Sequence, residues 1–406
     1  MSSWKDGEMG AIVFIGSSMS GSSMDALAAA GRLGYTAILL TDRKAFLRRK
    51  LVDVQLVLLK AMEEGIIRKQ LVQLLQSGQH ITAIISFVDP YVSMAANLSN
   101  EFCGSAISSE ALRLMEDKMA TRLALENNKA SCGFEIIPLG ESKQSTSNYP
   151  VMVKNPVSHG SKDVYYIEDE EQFEIAVKRL AKRLVGKQVL IEEFIEGPQY
   201  VIEVVVVETI PIIVAVIQQE ITFDYSFIVT AYGVVTKMDE ADYRSLWKTV
   251  TTIVNEIGLH HGACHFEMRL TSAGWKLIEL NPRISGGAMN RMIEEAYGIN
   301  LVKETIKLYL GEEPDLIRKR QQSVHTSYIT INIPGYLLDI DGLEQAVLCT
   351  GVVDVQVKPS IGAMIMPPLS MGHRNGYVMA IGEAMEVAKE RAENAARLIK
   401  FYIDPF

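Results

Sequence analysis

The chain has 406 residues, 48% of them hydrophobic and 22% charged, which predicts a folded protein and excludes a disordered, collagen-like or coiled-coil chain. With 40 basic and 49 acidic residues the net charge is −9, which is not the basic surplus of a nucleic-acid-binding protein. The four cysteines, Cys103, Cys132, Cys264 and Cys349, lie far apart and predict neither a metal site nor a disulfide framework.

The first apolar run, residues 11–15, is too short for a signal peptide or a membrane span. The most apolar stretch, residues 201–217, is interrupted by Glu203, Glu208 and Pro211. We therefore expect a cytoplasmic protein without a membrane or nucleic-acid partner.

The first hundred residues alternate between strand and helix patterns, with strands at 11–15, 35–40 and 81–87 and helices at 24–33 and 67–76. This alternation predicts a parallel sheet covered by helices. The turn after the first strand contains Gly16 and Gly21 at phosphate-loop spacing, but no lysine follows and the dinucleotide fingerprint is absent. A tight strand–helix connection is favoured there over a nucleotide site.

The pattern changes at about residue 110, and residues 323–406 form another unit, so the sequence predicts an α/β protein of more than one domain. In the central part the patterns predict helices at 110–128, 168–184 and 246–257 and strands at 132–138, 151–154, 189–194, 200–207, 264–270 and 275–280. In the last part they predict strands at 325–333, 352–357 and 377–381 and helices at 343–347 and 383–401.

Residues 265–283 predict a hairpin around a turn at residues 272–274. In that register Thr271 faces Trp275, and Glu267 lies opposite Glu279 with Asn281 on the same face. Opposed carboxylates repel each other, and two carboxylates with an amide oxygen suit Mg²⁺ bound together with phosphates. A solvated hairpin face is the alternative.

Two other strands end in groups that can bind a nucleotide. Lys154 ends an apolar strand before a Gly/Ser turn at 158–164. A lysine together with the backbone amides of a turn can bind polyphosphate. A lysine at a strand end is more often simply solvated. The strand at 189–194 runs into Gly197-Pro198, where free backbone groups can bind an adenine edge; an ordinary strand end is equally compatible.

A Ser-Gly-Gly turn at 285–287 opens a helix directly after Arg283. Helix N-termini favour anions, and an arginine at this point can hold a carboxylate or a transferring phosphoryl group.

The order of these motifs resembles the ATP-grasp superfamily, most strongly over residues 110–315. The resemblance rests on Glu116-Asp117-Lys118, Lys154, Glu192-Glu193-Phe194-Ile195-Glu196-Gly197, His265-Phe266-Glu267-Met268-Arg269 and Glu279-Leu280-Asn281-Pro282-Arg283. Within the superfamily, the block from Asn281 to Met289 is similar to the dipeptide-forming bacterial L-amino-acid ligases of the bacilysin and rhizocticin type.

This resemblance implies an ATP-grasp fold with three domains. These are an N-terminal parallel-sheet domain at 1–110, a two-lobed ATP-binding domain at 111–318 with its small lobe at about 125–195, and a C-terminal α+β domain at 319–406. It implies ATP and two Mg²⁺ ions as cofactors, with Mn²⁺ able to substitute. The implied ATP-binding residues are Lys118, Lys154, the closing loop with Ser158, His159, Gly160 and Ser161, the hinge Glu192, Glu193, Phe194 and Ile195, and Gln199, which stands where many members have a ribose-binding glutamate. The implied metal ligands are Glu267, Glu279 and Asn281, and the implied catalytic residues are Arg283 and Lys154.

The implied function is an ATP-dependent ligase that joins two L-amino acids through an acyl phosphate. The amine could instead be ammonia, a non-protein amine or a purine-pathway intermediate. A binding protein with an inactive ATP site is a further alternative. An oxidoreductase is disfavoured because the dinucleotide-binding fingerprint is absent. No motif encodes which amino acids are joined, and small-molecule amino acids are the expected partners, with a homodimer as the default. The candidate substrate contacts are His265, Arg283, Gly286, Gly287, His373 and Arg374.

Overall fold

The computed structural model describes residues 10–139, 148–158, 163–183, 188–223, 227–368 and 370–406. The helices are α1 (Ser22–Arg32), α2 (Glu64–Gln76), α3 (Val92–Cys103), α4 (Ser109–Met115), α5 (Lys118–Ala124), α6 (Glu170–Ala181), α7 (Glu240–Glu256), α8 (Met289–Tyr297), α9 (Leu301–Tyr309), α10 (Leu343–Val347) and α11 (Met385–Leu398). The strands are β1 (Ala11–Ile15), β2 (Thr36–Thr41), β3 (Val54–Leu58), β4 (Ile81–Ile85), β5 (Phe134–Pro138), β6 (Val151–Lys154), β7 (Val164–Ile167), β8 (Gln188–Glu193), β9 (Gln199–Val207), β10 (Ile210–Phe223), β11 (Phe227–Val234), β12 (Gly262–Thr271), β13 (Gly274–Asn281), β14 (Ser323–Ile329), β15 (Gly335–Asp341), β16 (Val352–Val357), β17 (Met364–Ile365), β18 (Gly376–Gly382) and β19 (Lys400–Pro405).

The N-terminal sheet has the strand order β3-β2-β1-β4 and all its pairings are parallel. Every residue of β1 is buried, as expected for a strand covered on both faces by helices. The predicted parallel sheet is confirmed, and β3 joins it as a strand that the sequence patterns did not indicate. The carboxyl ends of β1 and β4 lie at one edge, so the loops that follow them are neighbours.

A small antiparallel sheet with the order β5-β8-β6-β7 lies within residues 134–193. Helix α6 packs on it through Phe173 and Leu180, which share a buried cluster with Val153 and Ile191. This packing fixes β6 and β8, the two strands that carry Lys154 and Glu192.

The largest sheet has eight strands in the order β13-β12-β9-β10-β11-β14-β18-β16. Strands β11 and β14 pair antiparallel, with Ala231 opposite Ser327, so one sheet runs through the predicted boundary at residues 318 and 319. The division into three domains stays a prediction.

Two predicted helices have different bounds in the structure. The helix expected at 110–128 is two helices, because the Asp117 side chain caps α5 by accepting hydrogen bonds from the backbone of Met119 and Ala120. The helix expected at 383–401 ends at Leu398, because Phe401 and Ile403 join strand β19 and pair with β15.

No helix among the described residues combines the length and apolar content needed to cross a membrane.

Candidate active site

The hairpin of β12 and β13 brings the predicted metal ligands together. Glu267 lies directly opposite Glu279, and His265 lies opposite Asn281, so the predicted pairing of the two carboxylates is confirmed. The prediction that Thr271 faces Trp275 is wrong: Thr271 pairs with Gly274, whose φ of 100° closes a turn of only two residues. An irregularity between Glu267 and Met268 in the ladder restores the register by placing one extra residue, Ile278, on β13.

The two carboxylates form an electrostatically strained pair. Burial and the charge of Glu279 hold the pKa of Glu267 above its usual range. The side-chain amide of Gln199 donates to Glu267 Oε2 at 3.1 Å, and Lys118 Nζ lies 3.3 Å from Glu279 Oε1. A divalent cation between the carboxylates would relieve their repulsion, so this oxygen donor set fits Mg²⁺.

The described part of the chain holds no group of three or more His, Cys, Asp or Glu side chains suited to a metal ion. Two carboxylates and the Asn281 amide therefore leave most of a magnesium coordination shell to other oxygens. Phosphate oxygens are the usual complement at such sites.

Lys154 is held by a buried ion-pair cluster that also contains Arg122. Glu192 bonds Lys154 through Oε2, and Arg122 Nε donates to Glu192 Oε1 at 2.5 Å. Arg122 also donates to the backbone carbonyls of Leu277 and Ile278 at 3.0 and 2.9 Å, which ties the cluster to β13. Burial alone would raise the pKa of Glu192, but the charges of Arg122 and Lys154 outweigh it and hold the pKa at about 2.

Sequence reasoning did not identify Arg122. The available signal was its spacing: it follows Lys118 by four residues, which places both cations on one face of α5. Lys118 Nζ also donates to the carbonyl of Ser158, the first residue of the predicted closing loop. His159, Gly160 and Ser161 lie outside the described residues.

An apolar pocket opens beside the carboxylates and has aromatic walls. Phe194 and Phe227 stack with ring centres 6.1 Å apart, and Arg269 lies 5.0 Å from the centre of the Phe194 ring. Arg269 also donates to the carbonyl of Ile195 and, at 3.0 Å, to Gln199 Oε1. The pocket collects most of the predicted nucleotide contacts, and it is lined by Lys154, Glu192, Glu193, Phe194, Ile195, Gln199, Phe227, Glu267, Arg269, Glu279 and Met371, among others.

Phe227 and Arg269 were not identified as pocket residues from the sequence. Arg269 was visible only as the last residue of the His-x-Glu-x-Arg motif, and Phe227 reaches the pocket from β11, over 30 residues along the chain from Phe194. The individual contacts of Glu193, Ile195 and Gln199 with a nucleotide remain predictions.

The loop after β13 is fixed by three polar contacts. Arg283 donates to Asp89 Oδ2 at 2.9 and 2.6 Å, which links it to the loop after β4. His265 Nδ1–H donates a hydrogen bond to the Arg283 carbonyl at 2.7 Å. The buried Glu203 carboxylate accepts a hydrogen bond from the backbone N–H of Ser285 at 3.1 Å. Burial and the Arg283 charge lower the pKa of His265 to about 4, so the ring is neutral near pH 7. Asp89 and Glu203 carry no local sequence signal for this role.

A second cavity of about 520 Å³ lies beyond this loop. The turn after β1 reaches it: a Cβ on Gly21 would lie 2.9 Å from the backbone nitrogen of Gly287, so the close approach of the two loops requires glycine. Of the six predicted substrate contacts, Gly287 and Arg374 line this cavity. The other four line neither this cavity nor the aromatic-walled pocket: His265, Arg283, Gly286 and exposed His373.

Two family models match the chain. The ATP-grasp domain model matches residues 147–291, and the model of L-amino acid ligase C-terminal domain 2 matches residues 327–404. The chain therefore contains an ATP-grasp domain over residues 147–291. The predicted ATP-grasp fold class is thereby confirmed, with the parallel sheet at the N-terminus and antiparallel sheets in the central and C-terminal parts.

Individual proteins of known sequence or structure agree with this assignment. The chain is 27% identical to protein y4rH of Sinorhizobium fredii over 264 residues, which cover 63% of this chain and 54% of that protein. It is 23% identical to dapdiamide A synthase of Enterobacter agglomerans over 313 residues, or 73% and 72% of the two chains. The crystal structure of L-amino acid ligase from Bacillus licheniformis superposes with a TM-score of 0.84 at 19% identity, covering 98% of this chain and 100% of that one. The match thus spans about half the length of the first of these relatives, and the structural likeness shows the shared fold.

Proposed function

We propose that this ATP-grasp protein is an ATP-dependent carboxylate–amine ligase that joins two L-amino acids into a dipeptide through an acyl phosphate. The observation that carries the proposal is the opposed pair Glu267 and Glu279, which faces Lys118 and Lys154 beside an aromatic-walled pocket. The L-amino acid ligase C-terminal domain and the similarity to dapdiamide A synthase support amino-acid substrates.

The chemical difficulty is charge, because a carboxylate and a triphosphate repel each other. Lys118 and Lys154 supply fixed positive charge at the carboxylate pair, and Arg283 supplies it where the loop after β13 begins. Mg²⁺ held by Glu267, Glu279 and Asn281 would add positive charge at the phosphate oxygens when bound.

The reaction has two displacements. A carboxylate oxygen of the first amino acid attacks the γ-phosphorus of ATP, and the bond to ADP breaks. The amine nitrogen of the second amino acid then attacks the acyl carbon, inorganic phosphate leaves, and the nitrogen loses one proton. Arg283, oriented by Asp89, neutralises the acyl phosphate, while His265 acts as a neutral donor that positions the Arg283 backbone rather than as the base.

The test measures ADP release from Mg²⁺-ATP with each of the twenty amino acids alone and in pairs, followed by mass spectrometry of the products. We expect release that requires amino acids and a product with the mass of a dipeptide. Release without a dipeptide mass would redirect the proposal to another amine, such as ammonia or a purine-pathway intermediate. No release with any pair would contradict the ligase.

Glu279→Gln tests the carboxylate pair within the same assay. Removing one charge weakens the site for a divalent cation, so we expect ADP formation to fall below detection. Glu240→Gln, at an exposed residue of α7 that forms an ion pair with Arg244, is the matched control and should retain wild-type turnover. Near-normal turnover of Glu279→Gln would contradict the metal assignment.

A further inference from the structure

The C-terminal strand β19 forms the edge of a separate three-stranded sheet with the order β17-β15-β19. On one side β19 pairs antiparallel with β15, and on its other side it has no strand partner among the described residues. Five of the seven residues from 400 to 406 are exposed to solvent. An open edge of this kind presents backbone N–H and C=O groups on which another strand can pair.

The two faces of this sheet differ in their surroundings. On the inner face Phe401 packs against a buried cluster that includes residues of α10 and α11. On the outer face Tyr402 is 52% exposed, and the neighbouring Phe406 is 66% exposed with its ring 5.6 Å from that of Tyr336. At the end of α11, just before β19, Leu398 is 41% exposed. Large apolar side chains that are exposed together along an open edge are typical of a surface that another protein chain covers.

The outer residues of β19 carry opposite charges that are placed symmetrically about Tyr402. Lys400 lies two residues before Tyr402, and Asp404 lies two residues after it. When two copies of this strand pair antiparallel about a two-fold axis at Tyr402, Lys400 of each copy lies opposite Asp404 of the other. Opposite charges at directly opposed positions stabilise a sheet, and like charges destabilise it.

Both charges are available for such a contact. Asp404 lies opposite the neutral Tyr336 on β15, and Lys400 lies opposite Asp341. Neither Lys400 nor Asp404 forms an ion pair within the part of the chain that the structure describes. In the paired arrangement Lys400 would lie between Asp341 of its own chain and Asp404 of the other copy.

The same register fits the ends of the strand. Pro405 has no N–H to donate, and it falls outside the five paired positions 400–404. Phe406 extends beyond the pairing toward the end of α11 in the other copy, where Leu398 is exposed. Moving the two-fold axis by one residue in either direction removes both charge pairs, so the charges specify one register.

We propose that the chain forms a homodimer in which the β19 strands of two copies pair antiparallel about a two-fold axis at Tyr402. The two three-stranded sheets then become one continuous sheet. A second copy is the occupant that fits, because the edge is complementary to itself and each charge pair forms twice. The pairing closes the open edge of both β19 strands, so assembly through β19 stops at two copies. The inference concerns assembly and is independent of the ligase function.

Sedimentation velocity of the full chain over a range of concentrations tests the dimer. The wild-type protein should sediment as a dimer. Asp404→Lys places two lysines opposite each other at both contacts, and Lys400→Glu places two carboxylates there, so each should raise the dimer dissociation constant tenfold to a hundredfold. Glu386→Lys, which makes the same change in net charge at the exposed first turn of α11, far along that helix from β19, is the matched control and should keep the wild-type constant.

Mixing the two charge-reversed proteins tests the register. In a heterodimer of Asp404→Lys and Lys400→Glu both contacts again join opposite charges, so the mixture should form dimers with a dissociation constant close to that of the wild type. This recovery would also show that both variants are folded.

Three results would overturn the proposal. The first is a wild-type protein that stays monomeric at every concentration at which it is soluble, which would leave the edge to a different partner. The second is a dimer that neither charge reversal weakens, which would place the interface elsewhere. The third is a mixture that remains as dissociated as each variant alone, which would contradict the pairing of Lys400 with Asp404.

Discussion

At the scale of single residues, Arg122 joins the two sides of the nucleotide pocket. It is 3% exposed and connects Glu192 of the small sheet to the backbone of β13. Arg122→Met leaves the Glu192 charge buried with Lys154 as its remaining ion-pair partner, so we expect the free energy of unfolding to fall by about 3 kcal/mol. Urea unfolding of the variant and the wild type measures this change.

The control for this variant is Arg113→Met, which removes a surface ion pair with Glu110 on the preceding helix. Surface pairs contribute little, so its unfolding midpoint should stay close to that of the wild type. Equal effects of the two substitutions would show that the buried cluster does not stabilise the fold.

Glu203 gives stability a predictable dependence on pH. Burial raises its pKa from 4.5 to about 7, so between these values the folded protein keeps a proton that the unfolded chain has released. The contribution of Glu203 to the free energy of unfolding therefore falls as the pH rises through this window. Glu203→Gln has no such group and should gain about 2 kcal/mol relative to the wild type between pH 5 and pH 8.

Chemical unfolding of both proteins at the two pH values measures this difference. The comparison with the wild type cancels the other titrating groups. If the stability difference between Glu203→Gln and the wild type were the same at pH 5 and pH 8, Glu203 would not titrate in the folded protein as described.

At the scale of elements, the cap of α5 positions Lys118. Asp117→Ala removes the two capping hydrogen bonds, so we expect a loss of about 1 kcal/mol and a raised KM for ATP, because Lys118 is the first residue of the helix. Asp239 caps α7 in the same way, by accepting from Ala241 and Asp242, and lies outside the pocket. Asp239→Ala should lose similar stability without a change in KM, and a KM that rises equally in both variants would contradict the role of the cap.

The hairpin shows how far sequence patterns reach at this scale. Alternation along β12 and the turn residues 272–274 predicted Glu267 opposite Glu279, and this pair is right because the extra residue Ile278 offsets the one-residue error at the turn. The pattern did not indicate the extra residue at Ile278. In a regular strand, residues two apart lie on one face of the sheet, which would put Glu279 on the same face as Trp275 and Leu277. In the fold Trp275 and Leu277 are buried in the core while Glu279 faces the pocket, so the ladder must shift by one residue between them.

At the scale of the whole molecule, the site depends on contacts between distant segments. Arg283 and Asp89 are separated by 194 positions, and Arg122 and Glu192 by 70, and no local pattern predicts such pairs. The strand-end motifs were readable because each has its own short signature. Their partners were not, since a buried Asp, Glu or Arg in an apolar strand or loop gains its role only when the sheets assemble.

In the proposed reaction, phosphorylation activates the carboxylate of the first amino acid. The measurement labels the first amino acid, whose carboxylate becomes the amide, with ¹⁸O in both carboxylate oxygens and leaves the second amino acid unlabelled. The phosphate released in complete turnover is then analysed. We expect one ¹⁸O in each phosphate, because the attacking oxygen leaves with phosphorus when the amine displaces it, and one ¹⁸O in the new amide. Unlabelled phosphate, with dipeptide formed, would contradict the acyl-phosphate route.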